Sequence, residues 1–357
     1  MESRTVVKSK KGVLIRFVLW LLGTLLVLGV LAMLGVKYLY DSQFPRFDVP
    51  EYSGYLTYDD LAGYKREIVT FQSGTNTLTG YIYGQEHSKG LVVIAHGLGG
   101  GAESYLAEAV FFVDRGWRVF SFDCTGSYAS EGRSTRGLPQ SALDLEAALT
   151  FIANDPELSR LPVMLFGHSW GGYAVTAVLQ ENSDVRAAVS IAGFNSPIAM
   201  LLEQGKHLIG SSIYLAYPFA WAYQTILFGE VANRTAVSGI NSTDAAVMII
   251  HGTEDASILY DGSSIIAQRE NITNPKVTYK TMAEPKRNGH NNLLYSIEAL
   301  EYVTEKNKLY RALYEQYEGS IPDEVKREYY AGVDRRKTSE LNLELMEEIN
   351  SFFEENL

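Results

Sequence analysis

The stretch Val163–Val178, VMLFGHSWGGYAVTAV, forces a particular geometry on the chain. A short apolar run ends at Gly167 and a helically spaced run resumes after Gly172, leaving only a few residues in which to reverse. Glycines at 167 and 171 remove the Cβ atoms that would collide as such a turn closes, and Gly172 lets the following helix approach the strand. Ser169 is thereby set on a tight, strained corner with its hydroxyl exposed.

The flanking sequence repeats this strand-to-helix pattern. Glu67–Phe71 and Thr77–Tyr83 alternate around the turn Ser73-Gly74-Thr75-Asn76 and read as a hairpin. Beyond it, apolar runs at Leu91–Ala95, Arg118–Phe122, Pro162–Phe166, Val185–Ala192, Val247–Ile250 and Val277–Met282 read as strands. Helical spacing at Ala102–Arg115, Pro139–Asn154, Ala174–Gln180 and Ile258–Gln268 separates them. This order predicts an α/β fold with a mostly parallel sheet between helical layers, and chemistry at the carboxyl ends of the strands.

At the amino end, Phe17–Val36 carries no charge over 20 residues, about 30 Å as a helix and enough to cross a bilayer core. Arg4, Lys8, Lys10, Lys11 and Arg16 precede it, whereas acidic groups predominate just after it. The asymmetry predicts a basic cytoplasmic terminus over 1–16, a single transmembrane anchor over 17–36, a juxtamembrane linker over 37–63 and an extracellular body over 64–357. A cleaved signal peptide is the competing reading; the run exceeds the usual ~7 to 15 residues and no AxA-like site follows. A net charge of −11 argues against a nucleic-acid binder. The one cysteine, Cys124, excludes an internal disulfide and reads as packed and inert.

Three further segments complete the picture. IAHGLGGG, Ile94 to Gly101, ends a strand. MIIHGTEDASI, Met248 to Ile258, places Asp255 just past another, and KRNGHNNLL, Lys286 to Leu294, places His290 between a strand and a helix. With the GxSxG of residues 167–171, residues 64 to 295 resemble an α/β-hydrolase, in which nucleophile, acid and base follow in the chain order Ser169, Asp255, His290. The resemblance implies that His290 takes the proton of Ser169, that Asp255 orients the imidazole, and that the backbone N–H groups of Leu98 and Trp170 form the oxyanion hole. Glu254 is the nearest rival to Asp255. Among six histidines, only His290 follows the acid. Phe122 to Gly132, FDCTGSYASEG, is similar to that family's DxxGxGxSxG turn with Tyr128 where a glycine is usual; Asp123 and Ser130 read as braces for the loop.

The same resemblance makes residues 194–245 a cap insertion over the pocket, rich in aromatic and aliphatic side chains between Met200 and Phe228, and leaves extra helices over 300–357. The tail is expected to close with a last helix at Ser339–Glu355. Three N-glycosylation sequons, at Asn233, Asn241 and Asn271, matter only in a eukaryotic secretory pathway. The implied activity is that of a membrane-anchored serine hydrolase acting on a small ester or acyl substrate, lipid-like or peptide. It calls for no metal or organic cofactor. A serine aminopeptidase of the same fold is the alternative, and a non-catalytic membrane-anchored scaffold is the third reading.

Overall fold

The computed structural model describes residues 10–182 and 184–357. Arg4 and Lys8 of the basic terminus lie outside the described residues. Eight strands form one sheet: β1 (Arg66–Ser73), β2 (Asn76–Tyr83), β3 (Leu91–Ala95), β4 (Arg118–Phe122), β5 (Val163–His168), β6 (Val185–Ile191), β7 (Ala246–Gly252) and β8 (Val277–Met282). Their order is β1-β2-β4-β3-β5-β6-β7-β8. β2 runs antiparallel to both neighbours, and every other pairing is parallel.

The central strands are buried on both faces, which is why they read as unbroken apolar runs. Leu91, Val93 and Ala95 of β3 point into one core and Val92 and Ile94 into the other; Val163 and Leu165 of β5 are likewise opposed to Met164 and Phe166. α3 (Gln140–Asn154) and α4 (Trp170–Ala177) cover the first face, through Leu145 and Ala174. α2 (Leu106–Val113) and the last helix, Leu343–Glu355, cover the second, where Phe112 meets Phe353. That last helix starts later than Ser339 because Asn342 caps it, its side chain accepting from the Leu345 N–H.

Glu108 is the exception in the second core. It is 1% exposed, and its Oε1 has no partner among the described residues. Burial pushes its carboxyl from the ordinary 4.5 up to about 7. As pH rises through 4.5 the unfolded chain ionises while the folded chain holds its proton, so stability declines until about 7 and levels off above it. Glu108→Gln is therefore expected to be more stable than wild type at pH 8 by about 3 kcal/mol and indistinguishable from it at pH 4. Urea melts at both pH values check this, and equal gains at both would rule out ionisation as the cause.

A 34-residue helix, α1 (Lys10–Gln43), leads the chain. It is long and apolar enough to cross a membrane, with a mean hydropathy of 2.6 over its most apolar 18 residues. It outlasts the 17–36 span at both ends. Residues 37–63, expected as a linker, are helix as far as Gln43 and beyond it are tied to the body, with Phe44, Leu56 and Leu61 buried. Arg46 is the reason: its guanidinium donates to the carbonyls of Tyr128 (2.6 Å), Ser130 (2.9 Å) and Gly132 (2.9 Å), and Phe47 pairs with Ser127.

Between β6 and β7 lie α5 (Pro197–Ile209), α6 (Ile213–Phe228) and α7 (Ala236–Asn241). The segment expected to be helical at Ile258–Gln268 is mostly turns, ending in a 3-10 helix at Ile266–Asn271. Carboxylates take its amides: Asp255 accepts from Ser257 and Ile258, and Glu203 from Leu259 and Ser263. Ala102–Arg115 is also interrupted, with a 3-10 turn at Ala102–Tyr105 before α2. In the tail, α8 (Ile297–Gln316), α9 (Asp323–Ala331) and α10 (Arg335–Thr338) precede the last helix, α11.

Candidate active site

β5 ends at His168, α4 begins at Trp170, and Ser169 between them has a φ of 57°. That left-handed backbone is costly for a residue with a Cβ. It is fixed from both sides, by the Ser169 N–H donating to Ile191 O (2.8 Å) and the Tyr173 N–H donating to Ser169 O (3.1 Å). The glycines act as clearance. A Cβ at Gly171 would strike the Ala95 carbonyl and one at Gly167 the Gly171 carbonyl, while one at Gly172 would lie 2.9 Å from Ile191 O.

Loops after β7 and β8 bring two more predicted residues to this corner. His290 Nε2 is 2.8 Å from Ser169 Oγ, and His290 Nδ1 is 2.7 Å from Asp255 Oδ2. The carboxylate requires the proton on Nδ1, so Nε2 is left to accept from the serine hydroxyl. Burial would push the Asp255 carboxyl up, but hydrogen bonds from His251 and His290 outweigh it and hold the group well below the ordinary carboxylate range. Its other oxygen accepts the Ser257 and Ile258 N–H groups, each at 2.8 Å. Glu254 is exposed and makes no such contact. This arrangement can draw a proton from the hydroxyl and stabilise the imidazolium that results.

The loop after β3 abuts the serine: a Cβ at Gly97 would lie 3.5 Å from Ser169 Cβ. Neither the Leu98 nor the Trp170 N–H donates to an acceptor among the described residues. Two free amides beside a hydroxyl can receive negative charge developing on a carbonyl oxygen. The Trp170 side chain is held beneath, its Nε1–H donating to Leu138 O (2.7 Å).

Three histidines overlooked as functional in the sequence turn out to be structural supports. His96 donates from Nδ1 to Gly97 O (2.8 Å) and accepts from the Cys124 N–H at Nε2 (2.9 Å); burial lowers it to about 4, so it is neutral. His168 spans the site. It lies 2.7 Å from Tyr105 Oη and donates from Nε2 to the His290 carbonyl (2.9 Å), while Tyr105 Oη accepts from the Gly97 N–H (3.1 Å). Burial lowers its pKa to about 3, so it stays uncharged beside His290. His251 directs Nε2–H toward Ile258 O (2.9 Å) and Asp255 Oδ2 (3.2 Å). No short-range pattern announces the roles of His96 and His168, because the Cys124 N–H, Tyr105 and the His290 carbonyl lie on other loops.

Asp123 and Ser130 brace their loop as expected. Asp123 accepts from the Ala102 N–H (2.7 Å), the Tyr81 hydroxyl (3.0 Å) and the Ala129 N–H (3.2 Å), while Ser130 Oγ donates to Asp123 O (2.5 Å). Tyr128 takes the glycine position with a φ of 42° and meets Tyr55 through its hydroxyl (2.7 Å). Cys124 is buried, which pushes its thiol well above the ordinary range. Beside the His290 loop opens a cleft of about 550 Å³, lined by Asn291, Asn292 and Tyr295 and, from the tail, by Tyr310, Tyr329 and Tyr330. Among the described residues no cluster of three His, Cys, Asp or Glu side chains is placed to hold a metal.

Comparison with known proteins bears on the fold. The family described as serine aminopeptidase, S33, matches residues 86–238. No curated protein matches the chain. Among solved structures, a Pyrococcus furiosus esterase is similar at 18% identity and a TM-score of 0.53, over 75% of this chain and 98% of that one. An acetyl xylan esterase from Thermoanaerobacterium gives 15% and 0.48, over 69% and 94%. A Pyrococcus horikoshii acylaminoacyl peptidase gives 16% and 0.46, over 66% of this chain and 39% of that one.

Proposed function

We propose that this chain, which has the α/β-hydrolase fold, is a membrane-anchored serine hydrolase that cleaves carboxylic esters or related acyl bonds through an acyl-enzyme. The observation that carries the reading is the unbroken relay of 2.8 Å and 2.7 Å from Ser169 through His290 to Asp255, at a corner where two amides stand free. Ser169 Oγ attacks the carbonyl carbon while His290 Nε2 takes its proton. The tetrahedral oxyanion lies against the Leu98 and Trp170 N–H groups. His290 then returns the proton to the leaving group, and a water deprotonated by the same nitrogen releases the acid. Asp255, held ionised, keeps the imidazole in the tautomer each step needs.

The aliphatic and aromatic content of the 194–245 insertion favours an apolar acyl group. The S33 match supports a second reading, an aminopeptidase that uses the same three side chains on an amide. The cations that precede the apolar run, Arg4, Lys8, Lys10, Lys11 and Arg16, support an orientation with the body outside the cell.

A membrane-impermeant fluorophosphonate separates these possibilities. On intact cells it is expected to label wild type and not Ser169→Ala. Labelling only after lysis would overturn the orientation alone, and no labelling of folded protein would overturn the hydrolase reading. Turnover of short and long acyl esters against aminoacyl amides then ranks the substrates; faster amide cleavage would select the peptidase.

A further inference from the structure

The apolar run of α1 has a partner helix. Gly29, Ala32, Met33, Val36 and Tyr40 are partly or fully covered while most residues between them are exposed, the 3–4 spacing of a single packed face. The element packed on α1 is α6. Their register is fixed near the body: Tyr223 Oη lies 3.1 Å from Lys37 Nζ and 2.8 Å from Asp41 Oδ1, and the Tyr40 and Tyr223 rings are 5.3 Å apart.

Both helices run inward and end in the same place. Tyr40 and Phe228 are buried, and a Cβ at Gly137 would meet the rings of both. The helices are therefore side by side and parallel, and at the far end of α6 Ile213 packs against Gly205 of α5. From Ile213 to Tyr223 is about 15 Å at ~1.5 Å per residue, much the same as from Gly29 to Tyr40. A bilayer that contains α1 up to Val36 contains the first half of α6 as well.

The outward surface of this hairpin suits that environment. Leu215 is 81% exposed and Leu208 is 66% exposed, with Ile209, Tyr214 and Ile226 also bare. Such a patch is rare on a surface bathed by water. Trp221 and Tyr217, both exposed, stand nearer the body, where interfacial aromatics collect. Lys206 and His207 at the end of α5 set a limit, since a cation at the bilayer centre costs about 3 kcal/mol. The hairpin thus stops within one leaflet. Its depth is set by the body, because Glu203 accepts the Leu259 and Ser263 amides and Gln204 donates to Ser257 O (2.7 Å), all in the segment after Asp255.

We propose that the α5–α6 hairpin is embedded in the body-side leaflet alongside α1, with lipid hydrocarbon as its partner. The inference rests on the reading of α1 as a membrane anchor. Cys124 is buried, so an introduced surface thiol can be labelled selectively. The polarity-sensitive fluorophore NBD is attached to Leu25→Cys on α1, Leu215→Cys on α6 and Leu309→Cys on α8, all exposed positions, in the full chain reconstituted in phosphatidylcholine vesicles. Doxyl-labelled phosphatidylcholine is expected to quench the labels at 25 and 215 alike and to leave 309 to aqueous iodide. Quenching at 25 with iodide access at 215 would overturn the hairpin while the anchor stands. Iodide access at both would overturn the anchor and the hairpin with it.

Discussion

Exchanging Ser169 for alanine is expected to lower kcat on an activated ester by about 10⁶, leaving the residual ~10³ to 10⁴ over water that free amides and binding provide. The size follows from the role: the hydroxyl supplies the covalent intermediate, and without it His290 has no proton to take. Alanine at a φ of 57° is no more strained than serine there, so the melting temperature should not move. His290→Ala is expected to fall by a similar factor, and the double variant no further, because the two side chains act as a unit. Steady-state kinetics beside thermal melts test this. A folded Ser169→Ala with turnover within about tenfold of wild type would remove the serine from the mechanism, since one general-base step alone contributes 10² or more.

Exchanging Asp255 for asparagine should cost about 10⁴ in kcat. The substitution keeps one oxygen for the Ser257 and Ile258 amides, so the loop retains its anchors. What changes is the atom facing His290 Nδ1. An amide NH₂ there donates, which moves the imidazole proton to Nε2 and leaves Ser169 Oγ facing a donor. Glu254→Gln is the control and should be silent, since Glu254 points into solvent. The opposite ranking of the two variants would give the acid's role to Glu254. Because hydrogen bonds from two histidines keep Asp255 ionised, its own titration should leave no inflection in the rate profile at mildly acidic pH.

The strands and the serine corner were legible for local reasons. Val163–His168 is buried on both faces, so no polar residue interrupts it, and the three glycines answer to carbonyls within a few ångströms. The Ser169, Asp255 and His290 positions could be named through the order of motifs, each tied to the end of a strand. Ile258–Gln268 misled because periodicity reports side-chain spacing and not what the backbone amides bond to; the carboxylates of Asp255 and Glu203 bind those amides instead. Residues 37–63 misled differently. Arg46 finds its acceptors more than eighty positions away, and nothing in a Tyr-, Pro- and Gly-rich stretch signals a contact at that separation. His168 falls in the same class, since it meets the His290 carbonyl 122 positions on and is legible only once the loops have met.

Arg46 also bears on any soluble form of the protein. Three residues after α1 ends, the chain is already committed to the carbonyls of the loop that Asp123 braces, so there is no slack tether for a protease to sever harmlessly. A cut downstream of Arg46 would take that guanidinium away with the stub and loosen the loop. A cut that leaves the body intact therefore has to fall upstream of Arg46.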